Sequence, residues 1–191
     1  MDEPNYILKT DEAVYRIPEG QEKAYKINTI IGIVLTTVLL ALLLFGDFID
    51  ETIRLPLRLL FCALAIGTGY FGAKKKHVPS PIEFWFYDKY MVIYRPKRYY
   101  NDKLTCCEYN TIKYSDITKC TYKTSSKWLH FFGTVTAKWY EYNPDGTLKE
   151  TPRVDQEIKS TFIYISTRCS DVDFAAEIEA HSPIKVTREK K

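Results

Sequence analysis

Residues that build metal and redox sites are few in this 191-residue sequence, and their spacing is poor for chemistry. The five cysteines, Cys62, Cys106, Cys107, Cys120 and Cys169, contain no C-x-x-C pair. An odd count without a framework fits a reducing cytoplasm better than a disulfide-stapled secreted domain. The three histidines, His77, His130 and His181, stand far apart, and none has a Cys or His partner at zinc spacing. A metal site would have to be assembled across the fold, and no metal or other cofactor is expected. Charge of one sign is also scarce as an excess: 27 Lys and Arg face 24 Asp and Glu, a net of +3. That balance argues against a nucleic-acid partner.

Catalytic groupings are missing as well. Ser115 and Asp116 have no histidine near in sequence and read as turn formers, while Cys106 and Cys107 would point to opposite faces of a strand. With no nucleophile, metal set or phosphate loop, no catalytic residue is assigned and a non-enzymatic protein is expected.

Long apolar runs are what the sequence does have. Ile27 to Phe45 carries no ionisable side chain, and Leu55 to Ala73 carries a single charge, Arg58. At about 1.5 Å rise per residue each run makes a helix of roughly 28 Å, the thickness of a bilayer's hydrocarbon core. We read a transmembrane hairpin over 27–73, with spans 27–45 and 55–73 and an outer turn 46–54. A cleaved signal peptide would have a shorter apolar core and a small-x-small site, which LLLFGDFIDE lacks. Two all-apolar helices inside a soluble protein would need more surrounding core than the rest of the chain supplies. Inside the second run, Gly67 to Gly72 spells G-x-G-x-x-G, but at the end of an apolar span it has no dinucleotide context. Ala63, Ala65, Gly67 and Gly69 have small-x-x-x-small spacing, which suits close packing on the first helix or on a second copy.

Around these runs the chain divides in order. Residues 1–26 hold six acidic and four basic residues without a sustained period and are expected to be an N-terminal tail. Residues 74–81 (KKKHVPSP) are a basic juxtamembrane link. From Ile82 the period becomes two: Ile82, Phe84 and Phe86 alternate with Glu83, Trp85 and Tyr87, and after Asp88-Lys89 a second strand begins at Tyr90. Further strands are expected over 104–114, 117–122 and 128–142. Asn143-Pro144-Asp145-Gly146 is then a turn, followed by a hairpin partner from Thr147. Thr161 to Thr167 is the last clear strand. Ser170 to Asp173 resembles a capping box for a helix whose inner stripe is Phe174, Ala175 and Ile178, ended by Pro183. This domain is placed at 82–185, with a charged tail at 186–191.

Two short motifs carry a resemblance to a known family. FWFYDKYMVIY (Phe84 to Tyr94) and Ile112-Lys113-Tyr114-Ser115-Asp116-Ile117 are similar to the pattern of YcxB-like bacterial pleckstrin-homology-like (PH-like) domains, which follow two membrane helices. The order of tail, helix pair and β-rich part extends the likeness over nearly the whole chain, with a longer middle hairpin around Asn143 to Gly146 as the departure. What the resemblance implies is a fold and a place. The fold would be a mainly-β roll of six or seven antiparallel strands closed by a C-terminal helix, at the cell membrane.

Two functional expectations follow. In the preferred one, the domain binds a protein partner or a second copy of itself, and Trp128, Leu129, Phe131 and Phe132 are the contact candidates. In the other, Lys74, Lys75, Lys76, Arg95, Lys97 and Arg98 form a basic face on anionic membrane lipids. Orientation comes from the flanks: Arg16, Lys23, Lys26 and Lys74 to Lys76 border the outer sides of the spans, whereas Arg54 and Arg58 border the turn. Six against two puts both termini in the cytoplasm. Reporters fused before Met1 and after Lys191 should both report a cytoplasmic location; either one scoring outside overturns the hairpin.

Overall fold

The computed structural model describes residues 3–45, 51–100 and 103–190. The chain forms two compact units, Ile17–Lys76 and a second made of Met1–Arg16 with His77–Lys191. In the first, α1 runs Glu22–Phe45 and α2 runs Glu51–Phe71. Both are long and apolar enough to cross a membrane. The chain carries polar side chains in these helices by returning them to the backbone. Thr29, Thr36 and Thr37 each donate to the carbonyl four residues earlier.

The expected turn 46–54 is shorter than drawn, because α2 already begins at Glu51; positions 46–50 lie outside the described residues, as do 101 and 102 of the expected Asn101 to Lys103 turn. Arg58 Nη2 donates to the Leu42 carbonyl at 2.7 Å. At the other end of the pair, a Cβ on Gly72 would lie 2.0 Å from the Asn28 side chain. The close approach therefore falls at Gly72. Of the four small residues expected there, Ala63 and Gly69 are exposed and Ala65 and Gly67 half-buried. A Cβ on Gly67 or Gly69 would meet open space, so the packing assignment shifts one turn toward the helix end.

The second unit is a curled sheet of eight strands with one helix. Its strands are β1 Tyr6–Arg16, β2 Lys76–Phe86, β3 Tyr90–Tyr100, β4 Lys103–Lys113, β5 Ile117–Lys123, β6 Trp128–Glu141, β7 Val154–Ser166 and β8 Thr187–Glu189, with α3 at Phe174–His181. Strand order is β1-β2-β3-β4-β6-β5-β8, and β7 pairs the other edge of β6.

Three sequence boundaries are corrected here. The N-terminal tail contains β1, the basic link begins β2 at Lys76, and the charged tail contains β8. Alternation in β1 is masked in the sequence because its inward positions include Glu12 and Arg16 beside Leu8. Contacts descend along β2 as they rise along β1: Asn5 N donates to Phe86 O at 2.8 Å, Lys9 pairs with Glu83 at 3.5 Å, and Tyr15 meets the His77 ring at 5.3 Å. The helical pair is thus an insertion between two neighbouring strands.

β4 and β5 pair with one and the same edge of β6, β4 along Thr136 to Glu141 and β5 along Trp128 to Gly133. They act as one long strand bent at a 3-10 turn, Tyr114–Asp116. The bend needs Gly133, where a Cβ would stand 2.2 Å from the Asp116 carbonyl oxygen. β7 bulges opposite it: the register shifts between Gly133 and Val135, next to Ser160 at φ 51°.

The curled sheet encloses Ile82, Phe84, Phe86, Met91, Ile93, Ile112, Leu129, Phe131 and Ile165, all almost fully buried. α3 covers this core with Phe174, Ala175 and Ile178, the inner stripe read from sequence. Phe174 packs edge-on to Phe84 at 5.7 Å. Burying Phe174 and Ile178 contributes about 1.5–3 kcal/mol each. The cap of α3 is Asp173, which accepts from Ala176 N at 3.1 Å, rather than Ser170. Asn143 to Gly146 turns as expected, with Gly146 at φ 86°, and Leu148 just beyond it pairs antiparallel with Tyr142; the long partner strand β7 starts at Val154.

Because β1 precedes the helices yet belongs to the sheet, a chain starting at Pro79 loses Leu8 from the core and Glu12 from its buried ion pairs. It is expected to aggregate. A chain in which 17–76 is replaced by a short Gly/Ser loop is expected to melt cooperatively with strand-rich circular dichroism. Equal behaviour of the two would show that β1 is dispensable.

Candidate functional site

Arg95 fixes how the sheet curls. It sits on β3 directly opposite Glu108 of β4 and is 3% exposed. Its Nε and Nη2 donate to the two carboxylate oxygens of Glu12, on β1, at 2.6 and 3.1 Å. Nη1 donates to Glu108 Oε2 at 3.2 Å, and Nη2 also donates to the Tyr164 carbonyl of β7 at 3.0 Å. One guanidinium thus joins β1 and β7 to β3 and β4. Arg98 adds an ion pair to Glu108 Oε1 at 3.3 Å, so two cations face two carboxylates. Burial alone would lower the Arg95 pKa, but Glu12 and then Glu108 hold it above the usual arginine value.

On the outer face of the same strands lies a groove of about 1040 Å³. Cross-strand register builds it in rows. Trp85, Val92, Thr111 and Thr136 stand side by side across β2, β3, β4 and β6. The next row is Glu83, Tyr94, Tyr109, Lys138 and Asp155. The β-branched residues are the floor, and rings are the walls. Tyr94 stacks on Tyr109 at 4.7 Å, Trp85 leans on Tyr94 at 5.2 Å, Tyr140 meets Tyr109 edge-on at 6.1 Å, and Tyr87 stacks on Tyr90 at 4.4 Å. Such pairs contribute about 0.5–1.5 kcal/mol each beyond their buried area.

The segment after β6 supplies Leu148, Lys149 and Glu150 as the far lip. Tyr142 anchors its start by donating to the Pro96 carbonyl. The rim charges are neutralised locally: Lys138 pairs with Asp155 at 3.2 Å, and Glu141 takes Lys149 at 2.7 Å and Arg153 at 3.0 Å. Beneath the rings, burial pushes the Cys107 thiol up, opposed in part by a Tyr109 hydrogen bond. Burial and Cys107 likewise raise Tyr109, which leaves the phenol protonated. The arrangement offers stacking faces and hydroxyls. Among the described residues no cluster of three or more His, Cys, Asp or Glu is placed to hold a metal ion.

The residues singled out in the sequence scatter. Arg95 is removed from the basic surface, since its charge is buried against Glu12 and Glu108. Lys74, Lys76, Lys97 and Arg98 are exposed and Lys75 half-buried. Lys74 Nζ lies 5.1 Å from the Tyr70 ring. The stretch 128–132 is the start of β6: Leu129 and Phe131 are core, and Trp128 and Phe132 face outward, half-buried. The groove tyrosines were missed because no one strand shows them. Their signal is that the outward phase of four strands is aromatic or β-branched, where a solvent face would be charged.

Comparison with family models, curated proteins and solved structures found no match. The class the coordinates define is a pair of helices long enough for a membrane, inserted in a mainly-β curled sheet with a C-terminal helix.

Replacing Arg95 by Met should destabilise the protein by about 3–5 kcal/mol, because Glu12 loses its buried cation and Glu108 keeps only the half-exposed Arg98. Glu12→Leu/Arg95→Met/Glu108→Leu should recover most of that loss in thermal melts in detergent. A triple variant as unstable as the single one would show that side-chain packing at Arg95, and not charge pairing, holds the seam.

Proposed function

We propose that the chain is a membrane-anchored, non-enzymatic binding module that holds a segment of a protein partner in the aromatic groove at the cytoplasmic membrane surface. α1 and α2 are its anchor, and both termini face the cytoplasm. A PH-like fold of the YcxB-like kind is in keeping with the curled sheet and with α3 over its core.

The observation that carries this reading is the groove itself. Half-buried rings line a cleft of about 1040 Å³. That is at the upper end of small-molecule pockets and suits a stretch of chain crossing the strands. Its rim ion pairs cancel, which disfavours a polyanion such as nucleic acid. Rigid tyrosine and tryptophan side chains supply contact area at low entropic cost, as at other protein-binding surfaces.

The test places p-benzoylphenylalanine at Tyr109 of the full-length chain in its native membranes. Irradiation is expected to give one discrete heavier protein species. Filling the floor with Thr136→Arg should reduce it at least tenfold, about 1.4 kcal/mol, with the melting temperature unchanged. An adduct that survives the filled groove, or none at all, counts against the proposal.

A further inference from the structure

A second outward face, on β5, β6 and β7, has a different chemistry. Register sets Lys123, Trp128 and Ser166 in one row, Thr121, His130 and Tyr164 in the next, and Lys119, Phe132 and Phe162 in a third. Phe162 is 49% and Tyr164 51% exposed, so these rings do not fill a core. They form a continuous sheet of rings: Phe132 to Phe162 at 4.3 Å, Phe162 to Tyr164 at 5.5 Å, and His130 to Tyr164 at 4.8 Å. Burial, then Lys123, hold His130 below its usual pKa, so it joins the face as a neutral ring. The lysines of β5 line one side of the shallow cleft over the rings, and Glu189, the carboxylate in that lining, is tied to Lys119 at 3.4 Å.

This face is continuous with the strand ends that lead to the helices. Arg168, just after β7, donates to the Ser126 carbonyl at 3.1 Å and to His77 Nε2 at 2.8 Å, and His77 in turn meets Tyr15. His77 directly follows Lys76, and Tyr15 lies one residue before the end of β1. The connectors to the apolar helices are only residues 17–21 and 72–75. At a reach of about 3.5 Å per residue, neither is a long tether.

We propose that this ring-and-lysine face is a lipid-contacting surface, with Phe162, Tyr164 and Trp128 seated at the headgroup layer and Lys119 and Lys123 on anionic phosphates. Rings with an apolar body and a polar tip favour that layer, and lysines beside them are drawn to anionic phosphates. The acidic groups that a cationic protein partner would need are scarce on it. The inference rests on the membrane anchor, and carbonate extraction of the full-length chain reports the anchor separately.

The experiment uses the full-length chain in nanodiscs of phosphatidylcholine with phosphatidylglycerol. Phe162→Trp, read against a background carrying Trp128→Phe, should be quenched by chain-brominated lipid. Leu148→Trp, on the groove lip, should not. Lys119→Gln/Lys123→Gln, pure phosphatidylcholine and high salt should each cut the Phe162→Trp quenching at least twofold, with the cooperative melt retained. Three outcomes would overturn the proposal: quenching equal to that at Leu148→Trp, quenching indifferent to lipid charge and to the lysines, or a chain dimer that shields position 162.

Discussion

A charge buried inside a small β unit must be paired or be lost, and Arg95 is paired on three sides. Its bidentate contact with Glu12 and its bond to Glu108 tie β1 and β4 to β3, and the Tyr164 carbonyl brings in β7. β1 is one end of the run of strands and β7 lies on the other edge of β6, so one guanidinium spans the seam of the curl. Backbone pairing alone would leave that seam open; side-chain electrostatics in a low-dielectric interior close it. The same arrangement makes the seam intolerant of single replacements, because each partner removed strands the other.

The seam also explains why the helical pair can be an insertion. β1 is cut off from the rest of its sheet in sequence by residues 17–75, and loop closure over such a length costs entropy only logarithmically. What holds β1 is local: pairing with β2, the Glu12 contact, Leu8 in the core, and Tyr6, whose hydroxyl reaches Glu177 of α3 at 3.1 Å. Since β1 and β2 are neighbours, both connectors to the helices leave from paired strands.

The outward faces differ in chemistry. Over β2, β3, β4 and β6 the outward phase is tyrosine, tryptophan and threonine with cancelled rim charges; over β5, β6 and β7 it is rings beside lysines. A strand has two faces at period two, so the outward residues vary without altering the core. The inward phase is mostly Ile, Phe, Leu and Met, with Glu12, Arg95 and Glu108 as its paired charges.

Much was legible in the chain by itself. Two apolar runs of membrane length, the alternation from Ile82 onward, the turn at Gly146 and the Phe174, Ala175 and Ile178 stripe are local patterns, and local patterns are what sequence periodicity encodes. Tertiary structure decided the rest. β1 was hidden because its inward Glu12 and Arg16 look like surface residues until Arg95 and the Tyr99 ring, 4.1 Å from the Arg16 guanidinium, are brought beside them. Arg95 itself read as surface charge for the same reason. The groove could not be seen either, since Trp85, Tyr94, Tyr109 and Tyr140 come from four strands and become neighbours only through register. Periodicity depends on residues a few positions apart, while burial of a charge and the assembly of a face depend on residues scattered along the chain, and only the folded sheet brings those together.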